Sequence, residues 1–156
     1  MSHHKAVLMT IAAGITVIAL ASSCSNSGVV KANMDIIHRN YDELWNKGNL
    51  AVAEEIYSSD YIGHDSQVAP GMRSIEGVKR HVSMYRGGFP NVQFTIEDLI
   101  ASGDKVVVRW KASGKHKGDM MGMASTEKDV AVMGISIFRI ANGKIQEAWF
   151  GWDKMD

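Results

Sequence analysis

Glu147, Asp153, His64 and His116 are the side chains of this 156-residue chain whose types and settings suit acid–base chemistry. Side chains on a strand alternate faces. Along 105–117 the even positions Val106, Val108, Trp110, Ala112 and His116 are mostly apolar, whereas Arg109, Lys111, Lys115 and Lys117 are charged, which turns His116 inward. Further on, Ile145, Glu147, Trp149 and Asp153 share a parity, so Glu147 is expected between two large inward apolar neighbours. A carboxyl there loses hydration, and its pKa rises toward the range of a general base at neutral pH. The same residue also suits a buried Glu tied to a cross-strand Arg or Lys, or an outward Glu if a bulge reverses the parity. Asp153 is a second candidate acid or base, close to a terminus where fraying is common. His64, beside Asp65, could donate a hydrogen bond to a substrate oxygen, act as an acid, or cap backbone carbonyls. His38 and His81 fall at the edge of or off the apolar helical stripe and are expected in solvent.

Other chemistries lack their residues. His64, His116 and Glu147 would suit zinc, but no H-x-x-x-H or C-x-x-C spacing supports it, so no metal is expected. Met120, Met121 and Met123 offer thioethers that copper favours, yet flexible apolar lining of a pocket lip accounts for them better. Trp45, Trp110 and Trp149 read first as core and second as ligand-stacking surfaces. The chain has no nucleophile motif, P-loop or G-x-G-x-x-G, so no cofactor is expected.

Three helices and four strands must position these groups. Ile37, Tyr41, Leu44 and Trp45 recur at helical period up to Lys47-Gly48. Asn49 caps a second helix over 50–57. Residues 61–65 are a link, and a third helix begins at Ser74 with Ile75, Val78, Val82 and Tyr85 inward until Gly87-Gly88 and Pro90 stop it. Strands follow over 92–101, 105–117, 130–141 and 144–152, with hairpin turns at Ser102-Gly103-Asp104 and Asn142-Gly143. That order is an α+β fold, helices covering one face of a curved antiparallel sheet. Outward-facing Met133, Ile135 and Ile137 suit a homodimer interface.

Residues 1–23 have the anatomy of an export signal: a short basic start, an apolar run from Ala6 to Ala21 shorter than the roughly 20 residues of a spanning helix, then small residues. Leu20-Ala21-Ser22-Ser23-Cys24 is similar to the bacterial lipobox, which implies lipid on Cys24, a tether over 24–33 and attachment to a membrane, on its periplasmic face. Ala19-Leu20-Ala21 would also serve as an ordinary cleavage site. Cys24 is the only cysteine, so no intrachain disulfide forms. Seventeen basic and 17 acidic residues balance, which argues against a nucleic-acid partner.

Four stretches together resemble the SnoaL-like polyketide cyclases, or ester cyclases, of the nuclear transport factor 2-like superfamily. They are the run from Tyr41 through Trp45 to Leu50; Tyr61-Ile62-Gly63-His64-Asp65; Phe89-Pro90-Asn91-Val92 through Leu99; and a run from Val107 through His116-Lys117-Gly118 to Gly143-Lys144-Ile145 and Glu147-Ala148-Trp149. The resemblance implies a cone-shaped, strongly curved sheet wrapped by three helices around one deep pocket, in a domain over 34–156. It implies an acidic residue late in the sheet, Glu147 or Asp153, that takes a proton next to a carbonyl with a histidine assisting. Trp45, Tyr61, Trp110, Met121 and Trp149 are the expected ligand contacts. The sequence departs from the family where Met123 to Asp129 replaces a Pro-Thr-Gly turn and Ser66 replaces a proline, so the pocket rim is expected to differ. The expected activity is cofactor-free cyclisation, isomerisation or dehydration of a small apolar carbonyl compound; the alternative is a lipoprotein that only binds one.

Overall fold

The computed structural model describes residues 27–65 and 72–154. The signal, Cys24 and the start of the tether lie outside them. Residues 27–39 form helix α1, which runs directly into a wider π-helical segment, Asn40–Asn46. The tether expected up to residue 33 is therefore replaced by helix from residue 27. Its polar composition concealed a distant contact: the buried Asn33 side chain donates to the Gly103 carbonyl at 3.1 Å.

Helix α2 (Val52–Ile56) leads into strand β1 (Tyr57–Asp65), helix α3 (Ser74–Gly88), and strands β2 (Gln93–Ser102), β3 (Lys105–Lys115), β4 (Asp129–Ala141) and β5 (Lys144–Lys154). The sheet order is β1-β5-β4-β3-β2. The last four strands form the expected antiparallel meander, and β1 adds a fifth strand, parallel to β5, where the sequence suggested a link. Residues 57–60, Tyr-Ser-Ser-Asp, carry no alternating signal, so this strand owes its existence to the β5 edge that it pairs with. At Asn142-Gly143 both residues have positive φ, 54° and 70°, as a two-residue type I′ hairpin requires.

Packing follows the periodicities. Val106, Val108, Phe138, Ile140 and Ile145 from the sheet meet Ile37, Leu44, Val52, Ile56 and Val82 from the helices, all at most 3% exposed. Each large aliphatic side chain so buried contributes about 1.5–3 kcal/mol. The π segment is tied down at its C-terminal end. Asn46 exchanges two hydrogen bonds with the Phe94 backbone, 2.7 and 2.9 Å, and Arg86 donates to the carbonyls of Trp45 and Asn46. Gly48 follows at φ +71°, where a Cβ would lie 2.6 Å from Arg86 Nε, so only glycine suits the turn.

Candidate functional site

Between the concave face of the sheet and the helices lies a cavity of about 420 Å³. Its walls are aromatic and aliphatic: Trp45, Phe94, Trp110, Phe138, Phe150 and Trp152 contribute rings, and Met120, Met121 and Met123 form a lip. Among the described residues, none that lines it is Asp, Glu, Lys or Arg. At the lip, Met121 and Gly122 both adopt positive φ in a tight turn closed by hydrogen bonds between Met120 and Met123, 2.9 and 3.0 Å. The segment in which the sequence departs from the family pattern begins at the end of this turn, at Met123, and Met121 is 60% and Met123 55% exposed.

Apart from His81, the polar groups of the wall are hydroxyls, an amide and indole N–H groups. Trp110 Nε1 donates to Ser136 Oγ at 2.9 Å, and the Tyr57 hydroxyl donates to Asn40 Oδ1 at 2.8 Å. Burial pushes the Tyr41 and Tyr57 phenols above their ordinary range, with a hydrogen bond to Ser136 partly offsetting the shift at Tyr41. His81 also lines the cavity, in an aromatic group with Trp45 and Tyr85 at centroid distances of 5.8 and 4.8 Å. The sequence reading put His81 in solvent. Yet it is three residues after Val78 and four before Tyr85, on the same helical face, and that spacing could have found it.

The structure brings only part of the expected set together. Trp45, Trp110 and Met121 line the cavity; Glu147, Asp153, His64, His116, Tyr61 and Trp149 are not among its lining residues. Glu147 fails because its parity is reversed. Ile140 pairs with Ile145 but Arg139 pairs with Glu147, so one extra residue, Gln146, bulges from β5. From there Ala148, Phe150 and Trp152 point inward, while Glu147, Trp149 and Asp153 share the outer face. Instead of a raised pKa, Glu147 has one held below the usual carboxylate range, first by a hydrogen bond from His64 and second by one from Arg139. His64 Nε2 lies 2.9 Å from Oε1 and Arg139 Nε 3.1 Å from Oε2. The His64 ring stacks on Trp149 at 5.3 Å and an interplanar angle of 7°. The alternative of an outward Glu behind a bulge, paired with a cross-strand Arg, describes this arrangement.

His116 follows the last residue of β3 and is 4% exposed. Its ring stacks on Phe89, a cavity residue, at 5.1 Å, and its Nδ1 lies 3.1 Å from Thr126 Oγ1. Tyr61 is buried edge-on against Tyr57 at 4.8 Å. Asp153 is exposed, in register with Met133 on the outer face. Among the described residues no three His, Cys, Asp or Glu side chains converge as a metal site.

The family model described as SnoaL-like polyketide cyclase matches residues 35–156. Three solved structures resemble the chain over most of its length. One, a provisionally named SnoaL-like polyketide cyclase from Jannaschia sp. CCS1, is 25% identical with a TM-score of 0.70, covering 79% of this chain and 86% of its own. Another, a provisionally named polyketide cyclase from Acidithiobacillus ferrooxidans, is 27% identical at TM-score 0.71, covering 78% and 88%. IdmH from Streptomyces antibioticus, also provisionally named a polyketide cyclase, is 28% identical at TM-score 0.66, covering 78% and 91%. No curated protein sequence matches significantly.

Proposed function

The chain belongs to the SnoaL-like polyketide cyclase family, and from that premise we propose that it holds a small, uncharged, largely apolar carbonyl compound in this cavity. One observation carries this reading: a space of about 420 Å³ walled by rings and methionines, with no Asp, Glu, Lys or Arg side chain at the wall among the described residues. An apolar ligand gains from leaving water there, whereas an ionised one would lie buried without a countercharge. Native mass spectrometry of the purified protein tests the reading. A co-purified neutral molecule released on unfolding supports it, and a preference for charged ligands in a binding panel overturns it.

A second reading is cofactor-free turnover by proton transfer next to a carbonyl. It is favoured by His81, the imidazole on the cavity wall beside the aromatic rings. This reading does not use Glu147, whose carboxylate is paired with His64 and Arg139 on the other face of the sheet.

Two further parts of the proposal concern where the protein acts. The lipobox-like stretch ending in Cys24 supports export and anchoring to a bacterial membrane by lipid, and two or more acyl chains would hold it stably. Labelled palmitate is expected on the wild type and absent from Cys24→Ser; incorporation that survives the substitution would exclude Cys24 as the anchor.

The outer sheet face supports a homodimer. Ile100, Val107, Ile137 and Trp149 occupy successive register positions across four strands, with exposed Met133 and Ile135 beside them. Such a patch commonly marks an interface. Sedimentation is expected to show a dimer that Ile135→Glu dissociates, and a wild type that stays monomeric at high concentration would rule the interface out.

A further inference from the structure

We propose that the Tyr41 hydroxyl is the donor that recognises the ligand's carbonyl oxygen, beside the Trp110–Ser136 hydrogen bond on the same wall. This rests on the reading of the cavity as a binding site for a neutral carbonyl compound.

An indole N–H can only donate. Trp110 gives its proton to Ser136 Oγ at 2.9 Å, which occupies one acceptor site of that hydroxyl and leaves it a single proton to give away. Ser136 is fully buried, and the Tyr41 phenol lines the same wall.

Tyr41 is also held still. Its ring packs against Phe94 at 5.7 Å and edge-on against Phe138 at 6.4 Å. Two nearby donors are already spent: the Tyr57 hydroxyl goes to Asn40 and the Trp110 N–H to Ser136. Burial keeps the Tyr41 phenol protonated throughout the physiological range. A ketone, aldehyde or ester oxygen suits this donor, because among the described residues a carboxylate there would meet no Lys or Arg on the wall. If the bound carbonyl enolises, the same bond tightens as charge gathers on the oxygen.

Two probes of nearly equal shape, 2-acetylnaphthalene and 2-ethylnaphthalene, separate recognition of the oxygen from filling of the cavity. The wild type is expected to bind the ketone about tenfold more tightly, the worth of one net hydrogen bond. Tyr41→Phe is expected to erase that preference while leaving the affinity for 2-ethylnaphthalene unchanged, which also reports an intact cavity. The carbonyl stretch of carbon-13-labelled 2-acetylnaphthalene should lie at lower frequency on the wild type than on Tyr41→Phe. If both probes bind and neither preference nor stretch responds to Tyr41→Phe, the assignment of Tyr41 is overturned and the cavity reading stands. If neither naphthalene binds, the cavity reading falls and the Tyr41 assignment with it.

Discussion

Gly134→Val is expected to be among the most damaging single substitutions in the domain. Gly134 lies on β4 between Trp110 and Trp152 in register, and the Trp110 indole rests directly upon it. A Cβ at this position would stand 2.4 Å from Trp110 Cζ2 and 2.8 Å from the Gly151 carbonyl, closer than any real contact. Valine adds two methyl groups beyond that, so the indole must leave its seat. The move overpacks the sheet, at about 1–3 kcal/mol. It also strands the Trp110 N–H and the Ser136 hydroxyl in a buried site, for roughly 1–3 kcal/mol more. A domain of this size has only about 5–15 kcal/mol in total. Urea denaturation followed by tryptophan fluorescence is expected to show a midpoint far below wild type, and the cavity should lose its ligand. Gly87→Ala is the control: nothing lies within 4 Å of its Cβ position in α3, so the change is expected to be neutral or slightly stabilising. Equal midpoints for Gly134→Val and the wild type would show that Trp110 does not depend on this seat.

Much of the architecture was legible because it rests on local periodicity. Alternation along β3 separated buried Val106, Val108, Trp110 and Ala112 from exposed Arg109 and Lys111, and both hairpin turns stood out from their glycines. What escaped reading depends on partners far away in the chain. Strand β1 forms because β5 offers it an edge, and the first helical turns are supported by Asn33 reaching Gly103. The candidate site turned on a single residue. Period-two alternation is informative only while the register holds, and the bulge at Gln146 reversed every side chain after it. Glu147 and Trp149 were thereby exchanged for Phe150 and Trp152 on the cavity side. Nothing in Lys144-Ile145-Gln146-Glu147 announces a bulge; the buried pair Ile145 and Ala148, three apart where strict alternation allows only even spacings, reveals it once burial is known. His81 was different, since the stripe that contained Val78, Val82 and Tyr85 already included it.

The second large effect concerns proton transfer. If enolisable ketones exchange their α-hydrogens in this cavity, His81→Gln is expected to lower the exchange rate by roughly 10²–10⁴-fold, the usual contribution of a positioned general base. Affinity should change far less, because Trp45 and Tyr85 keep the wall around position 81 closed. Glu147→Gln is expected to leave exchange near the wild-type rate, since that side chain is paired on the opposite face. Its effect belongs to stability and has a definite sign. The Glu147 carboxylate titrates below its ordinary range in the folded protein, first through His64 and then through Arg139. Its contribution is therefore present above the ordinary carboxylate range and is lost as pH falls through the lowered value. Wild type and Glu147→Gln should differ modestly at neutral pH and converge in acid. Solvent deuterium exchange monitored by NMR, run beside denaturation at several pH values, reads both. Exchange abolished by Glu147→Gln and untouched by His81→Gln would return the base to the bulged strand and remove His81 from the chemistry.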